Sequence, residues 1–427
     1  MSERLRFSRI FGLHQGWMAG SMFLMLPILP AWLMSWGLSP AEMAIGYVTM
    51  GAMVIVLEVP CGMLADKFGR LTLYMSGVVF FTAAMSIMLL SPNLVGAVAG
   101  FACWGTALAM NSGTLQAWFV EAFRTKGGEE ELQPGFAVVS KYASLIAATF
   151  SLLGAVVTAV WAFVPAWSMP LDTVVVGALG SMLLHGVFTF FWLKGKTHSN
   201  QQTQQQTSTA APKQPSESII ALCRNPVIWR LLALAVLITP LFSAVEKFWP
   251  ALFEPLLQNV WPDISLTEDV AWVFYLLFAL LSFGSSVVQP LMTQLCRLLN
   301  QQLGKAIYAV YVAKCLSLFM LAISTNWWMF LISWLLFNVF MSMASSAASQ
   351  LLNDRVPDKK RASMMSVQSL FTRIGGIGGS LAIGVGTLYL NINSMFMLLA
   401  CFGFLAISLY LSPALNNRSE PTKEAVA

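Results

Sequence analysis

A chain of 427 residues that is 57% hydrophobic and only 10% charged, with a mean hydropathy of +0.70, is no ordinary soluble protein, in which roughly a quarter of residues carry charge. Its formal net charge of +5 is the balance of 24 Lys and Arg against 19 Asp and Glu, set between apolar runs of about 20 residues that are each long enough to cross a ~30 Å hydrocarbon core as a helix. Strands of a membrane barrel would give weaker and shorter alternating signals, so the reading is an all-α integral membrane protein.

Met1 to Arg9 is basic, but the apolar run behind it is too long for a signal peptide and continues through Pro27 and Pro30, so no cleavable leader is expected. In chain order the pattern predicts twelve transmembrane helices, at about 11–36, 42–64, 71–91, 94–120, 136–164, 173–194, 227–256, 269–294, 304–324, 327–350, 362–390 and 393–412. Between the second and third lies Gly62-Met-Leu-Ala-Asp66-Lys-Phe-Gly69-Arg70-Leu71, a short polar turn between apolar runs. It suits a tight hinge at a membrane surface, with Gly62 and Gly69 allowing close backbone approach and Asp66 one helical turn from Arg70. The six cysteines stand singly in or beside apolar segments, with neither metal spacing nor a disulfide framework, so no metal site and no cofactor is expected.

Retained cytoplasmic loops collect Lys and Arg. Here Arg4, Arg6 and Arg9 precede the first span, Lys67 and Arg70 follow the second, Arg124 and Lys126 the fourth, and Lys194, Lys196, Lys213 and Arg224 the sixth. Arg297 and Lys305, then Arg355, Lys359, Lys360 and Arg361, then Arg418 and Lys423 continue the series. All fall on one side of a twelve-span chain, while the opposite connections hold no Lys or Arg, which places both termini in the cytoplasm. These charges set topology; no nucleic acid is expected as a partner.

The connection at about 195–226 divides six spans from six. Its stretch Gln201 to Gln214 has almost nothing to bury and reads as a flexible linker, followed at Ser216 to Arg224 by a short amphipathic helix lying on the membrane. The expected organisation is an N-terminal six-helix bundle over 1–194, the linker, a C-terminal six-helix bundle over 227–412 and a tail over 413–427. Faint internal echoes support a repeat: Pro60, Lys67 and Gly69-Arg70 against Pro290, Arg297 and Gly304-Lys305, and Ser112 before Glu121 against Ser345 before Asp354.

Gly62-x-Leu-Ala-Asp66-x-x-Gly69-Arg70 resembles the signature loop of the major facilitator superfamily, in its usual place between helices 2 and 3. Twelve spans, a central linker and a decayed second copy extend the resemblance over essentially the whole chain. Glu58-Val-Pro60-Cys-Gly62 and Ser112-Gly113-x-x-x-Ala117-Trp118-x-x-Glu121 look like a drug- and small-molecule-exporter subgroup, which often has Asp where Glu121 stands. The resemblance implies a cytoplasmic latch of Gly62, Asp66, Gly69, Arg70, Glu121 and Arg361. In it Asp66 meets the start of helix 11, where Arg361 and the helix dipole favour a negative charge, and Arg70 pairs with Glu121. The alternative is that these are topology-setting surface charges. Two departures stand against proton-driven drug antiport: Phe101 replaces the arginine often found before Gly105, and Ser151-Leu-Leu-Gly-Ala155 holds no proline.

Ionisable groups inside the membrane are costly and mark function by default. Glu58, about two turns before the polar turn, carries a proton or anchors the turn. Glu246 and Lys247 in helix 7 contact substrate, couple protons, or form a structural charge pair or outer gate. Arg373, roughly 16 Å into helix 11 beside Gly375, Gly376, Gly378 and Gly379, suits anion recognition, and those glycines suit close helix packing. Lys314 reads as snorkelling or paired with a neighbour, and His14 and His185 as proton-coupling or packing residues. Gln15, Asn111, Gln116, Asn338 and Gln368 offer neutral hydrogen bonds to a ligand, and the 15 Trp and 24 Met suit an adaptable apolar pocket.

The functional expectation is a monomeric secondary transporter of the inner membrane, exporting a small amphiphilic or anionic compound by alternating access with protons as coupling ion. Its alternatives are export of a metal-chelating metabolite such as a siderophore, uptake of a metabolite, or a non-transporting receptor or assembly partner on the same fold. No nucleophile and base stand at catalytic spacing, so an enzyme is not expected.

Overall fold

The computed structural model describes residues 2–411 apart from 113, 128–129, 131, 165, 167–168, 195–222, 301, 354 and 357–360. The expected linker up to residue 222, and with it all but Cys223 and Arg224 of the expected amphipathic helix, therefore lies outside the described residues, as does the whole tail over 413–427.

Among the described residues the chain forms fourteen α-helices and no strand. They are α1 (Glu3–Phe23), α2 (Leu29–Ser35), α3 (Pro40–Phe68), α4 (Arg70–Leu90), α5 (Leu94–Asn111), α6 (Thr114–Thr125), α7 (Leu132–Phe163) and α8 (Asp172–Leu193), then α9 (Pro226–Gln258), α10 (Ala271–Leu298), α11 (Leu303–Ala322), α12 (Trp327–Asn353), α13 (Arg361–Gly386) and α14 (Ile392–Ile407), with a closing 3-10 turn at Ser408–Leu411. Nine runs among the described residues are long and apolar enough to cross a membrane, with α5 and α6 counted together as Leu94–Thr125.

Local chemistry sets the helix ends. Ser39 caps α3 with a capping box in which it and Glu42 bond reciprocally, and Pro40 takes the first helical position, where its missing N–H costs nothing. The other end corrects the sequence reading. Gly62 is not part of a turn: α3 runs on to Phe68, because nothing between Met63 and Phe68 breaks a helix, and a side chain at Gly62 would meet open space. The reversal rests on Gly69 alone, at φ 91° and ψ 145°, a backbone region open only to glycine.

Two expected spans are broken rods. The first divides into α1 and α2 around residues 24–28, with Pro27 in the break and Pro30 in the first turn of α2. The fourth divides into α5 and α6 at Ser112, which adopts extended geometry.

The helices assemble into two compact units: Met1–Pro212 with Trp261–Phe283, and Lys213–Val260 with Gly284–Ala427. In the first, α1 packs along α7 through Gly12, Gly16 and Gly20. Added Cβ atoms there would come within 2.8 Å of Val139 O, 2.7 Å of Ile146 Cβ and 2.6 Å of the Phe150 ring. The start of α10 belongs to this unit through Tyr275. Its hydroxyl donates to Leu24 O, a carbonyl freed by the break after α1, and its own carbonyl accepts from Ser151 Oγ at 2.8 Å. Phe7, Phe11, Trp118 and Phe119 form an aromatic core between α1 and α6.

In the second unit α9 packs along α13, α11 along α12, and α14 against both α9 and α11. The α9–α13 approach is set by Gly375 and Gly379, where added Cβ atoms would lie 2.5 Å from Val236 O and 2.6 Å from Pro240 Cα. Trp249, Phe253, Phe330 and Trp334 fill the space between α9 and α12.

Candidate functional site

Three groups of polar residues are built into these units. The first surrounds Gly69. With no residue between that glycine and α4, Arg70 becomes the first residue of its helix, and its Nη2 lies 2.8 Å from Glu121 Oε1 on α6. Both side chains are about a quarter exposed, so the pair is partly shielded from water. Below it α3, α4 and α5 close around Cys61, Ala65, Leu73 and Ala109. Glu58 is half-buried on α3, two to three turns before Gly69. The side chains of Asp66 and Arg361 lie outside the described residues, so only the Arg70–Glu121 part of the expected latch is visible.

A second group joins α1, α4 and α8. His14 is 3% exposed and His185 fully buried, with ring centroids 4.5 Å apart. Thr189 donates to His185 O at 2.7 Å, so its oxygen accepts from His14 Nε2 at 2.7 Å, which fixes the protonated nitrogen of that ring. The Tyr74 hydroxyl lies 2.8 Å from His185 Nε2 and donates to Met18 Sδ at 3.0 Å. Trp17 and Trp192 pack on His14 or His185, and Trp17 Nε1 donates to Ser181 Oγ at 3.1 Å. No carboxylate among the described residues bonds to either histidine, and the arrangement pins three helices together. Gln15, the next residue of α1, is half-buried.

The third group lies along α9 and α13. Lys247 Nζ donates to Ser380 Oγ at 2.9 Å, while Ser243, one turn before Lys247, donates to Gly376 O at 2.9 Å and sits 3.3 Å from Ser380 Oγ. Glu246 is the next residue round the helix and is exposed on its unit, unlike its largely buried neighbours. Arg373 stands seven residues before Ser380, about 10 Å away on the same stripe of α13, and is half-buried. The α9–α13 contact therefore brings Lys247 and Arg373 to one region, with Glu246 beside Lys247. The buried Ser243 and Ser380 hydroxyls both donate to Gly376 O and hold the Lys247 ammonium in place.

The remaining candidates are held locally. Asn338 Nδ2 donates to Trp334 O at 2.9 Å within α12. Asn111, the last residue of α5, presses its Oδ1 where a Cβ at Gly77 would stand, 2.3 Å away. Lys314 is fully buried on α11, with Nζ 3.2 Å from Met341 Sδ and over the rings of Tyr311 and Phe337 at 5.3 and 5.0 Å.

Sequence reasoning missed Ser243, Ser380, Tyr74 and Thr189. Ser243 and Lys247 are four apart, a spacing that puts them on one helix face, and this was the available signal. Tyr74 meets its partners through packing between helices distant in sequence, as Thr189 meets His14 and Ser380 meets Lys247.

A family model described as the Major Facilitator Superfamily matches residues 16–313 and 305–427. No curated protein sequence matches the chain significantly. Among solved structures, the nucleoside transporter NupG is 12% identical with a TM-score of 0.72, over 96% of this chain and 98% of that one. A peptide transporter POT in complex with sulfate is 14% identical with a TM-score of 0.68, over 97% and 95%. A POT family transporter in complex with 5-aminolevulinic acid is 13% identical with a TM-score of 0.65, over 96% and 97%. At these identities the likeness is one of fold.

Proposed function

The chain belongs to the major facilitator superfamily, and on that premise we propose that it is a proton-coupled secondary transporter that exports a small anionic or amphiphilic compound across the inner membrane by alternating access, with both termini cytoplasmic. As a family member it is a multi-pass membrane transporter and not an enzyme. The substrate class rests on one observation, the Lys247–Ser380 hydrogen bond with Ser243 beside it and Arg373 on the same stripe of α13. Lys247 and Arg373 bind a carboxylate or phosphate group of the substrate, and the two buried serines position the Lys247 ammonium. Glu246, next to Lys247, carries the proton. The Arg70–Glu121 pair is a contact that forms in one state of the transport cycle and breaks in the other.

Export as the direction is supported by the likeness of residues 58–62 and 112–121 to exporter motifs. A second reading, uptake of an anionic metabolite, is favoured by Glu246 adjoining Lys247. Neutralising the carboxylate removes a repulsion to an arriving anion, so proton and anion bind together and travel in the same direction. The test is reconstitution of the full chain in liposomes with an imposed pH gradient and a panel of carboxylates and organic phosphates. Substrate-dependent proton movement is expected, and its direction relative to the substrate separates export from uptake. A compound that binds and crosses with no proton movement would sink proton coupling.

A further inference from the structure

The outer surface of the first unit carries a groove of about 230 Å³ between α4 and α8. Its floor is Gly186, where a side chain would come within 2.9 Å of Val78 Cγ1, so the two helices meet there. Val79, Thr82, Val187, Phe190 and Phe191 stand out on either side as walls. Val79, Val187 and Phe191 are 62%, 56% and 70% exposed, an outward apolar face whose surroundings in a membrane protein are lipid. The lining lies 5–12 residues from the start of α4 and 2–10 residues from the end of α8, or about 3–18 Å along the helices, which is the acyl depth of a single leaflet.

A cation closes the groove at its leaflet surface. Lys194 is exposed just past the end of α8, and its Nζ sits 5.5 Å from the ring of Phe190, itself a wall of the groove. No carboxylate among the described residues pairs with it. An apolar slot of leaflet depth ending in an ammonium that no carboxylate among the described residues pairs with is complementary to an acyl chain carrying a phosphate at its head.

We propose that the α4–α8 groove is a binding site for an anionic phospholipid, with one acyl chain lying between Val79 and Phe190 and the phosphate on Lys194. Apolar contact in the groove replaces contact with bulk lipid tails, so it selects for shape and gives little net driving force. Selectivity comes from the ammonium. One basic residue near a membrane surface favours an anionic headgroup about five-fold. The site is independent of the substrate reading and needs only that the chain span the membrane.

Native mass spectrometry of the full chain in detergent, with dioleoyl phosphatidylglycerol or phosphatidylcholine added at equal concentration, tests the assignment. The expected result is retention of phosphatidylglycerol about five-fold over phosphatidylcholine, a preference that Lys194→Gln abolishes. Val187→Trp, at a groove wall that is 56% exposed, is expected to lower retention of both lipids by filling the slot. The proposal is overturned if the wild-type chain shows no headgroup preference, which would mean annular lipid only, or if Lys194→Gln keeps that preference. It is equally overturned if Val187→Trp leaves both lipids bound as before.

Discussion

Arg70 and Glu121 form an ion pair of 2.8 Å between the first residue of α4 and the middle of α6, and that pair exists because the preceding reversal is a single glycine. A longer loop would have left Arg70 outside the helix. Partly exposed pairs stabilise a fold by only about 0.2–1 kcal/mol, yet a state difference of about 1.4 kcal/mol changes a population ratio tenfold. Arg70→Gln and Glu121→Gln are therefore expected to lower transport about tenfold while shifting thermal stability by less than about 1 kcal/mol. A double-mutant cycle measured on transport should show coupling; additive losses would mean that the two residues act separately.

The glycines of α3 give opposite expectations. Gly69→Ala places a Cβ at φ 91° and is expected to cost about 1–3 kcal/mol. Gly62→Ala sits in open space inside a helix and should leave stability unchanged or raise it by about 0.5–1 kcal/mol. Thermal unfolding of both variants in detergent checks the contrast. Equal destabilisation would restore the sequence reading, in which both glycines belong to one turn.

That contrast also shows what the residues alone disclose. Helices were legible because apolar runs bounded by Pro, Gly and charge have few other solutions in a bilayer, and the Arg70–Glu121 pair was legible through its motif. The breaks at residues 24–28 and at Ser112 were not. Hydropathy does not register a backbone interruption whose carbonyls are satisfied from elsewhere, as Leu24 O is by Tyr275, 251 residues away. Gly12, Gly16 and Gly20 were readable at four-residue spacing, and their partner, α7, was not. The α9–α13 cluster was half legible: charge marked Glu246, Lys247 and Arg373, and spacing could have marked Ser243 four residues before Lys247, whereas Ser380 is an ordinary residue until two helices meet.

His14 and Thr189 are both buried and bonded to each other, so removing the acceptor leaves a buried N–H unpaired. Thr189→Val is expected to destabilise the chain by about 1–3 kcal/mol and Thr189→Ser by much less, read as melting temperature. If Thr189→Val melts with the wild type, the hydrogen bond contributes nothing and the histidines are held by ring packing alone.

At the first helix the Glu3 carboxyl is held below the ordinary carboxylate range, first by its hydrogen bond to Lys126, 3.2 Å away, and then by the Gly127 N–H. A lowered folded value means that this contact stabilises the fold above the ordinary carboxylate range. The contribution is lost as pH falls through the lowered value. Hydrogen exchange at the Gly127 amide is expected to accelerate on that acid side beyond the intrinsic pH trend, and Glu3→Gln should remove the dependence. An exchange profile that Glu3→Gln leaves unchanged would assign the protection to Arg4, which donates to Lys126 O at 3.0 Å and Glu130 O at 2.7 Å.

Substitutions at Lys247 and Ser380 test the substrate site by their order rather than by a single loss. A charge-assisted hydrogen bond to an anion is worth about 1.5–3 kcal/mol, so Lys247→Met is expected to weaken binding of an anionic substrate roughly 10- to 150-fold. Ser380→Ala removes a neutral partner that positions the ammonium, worth about 0.5–1.5 kcal/mol, and should weaken it about 2- to 12-fold. Arg373→Lys keeps the charge but loses the planar fork, and its effect should be largest for carboxylate and phosphate ligands. Binding to the purified chain, measured by calorimetry against neutral and anionic forms of one compound, reads all three. Losses confined to the anionic form, with Lys247→Met exceeding Ser380→Ala, support the site. Equal losses for both forms would mean that α9 and α13 have merely come apart.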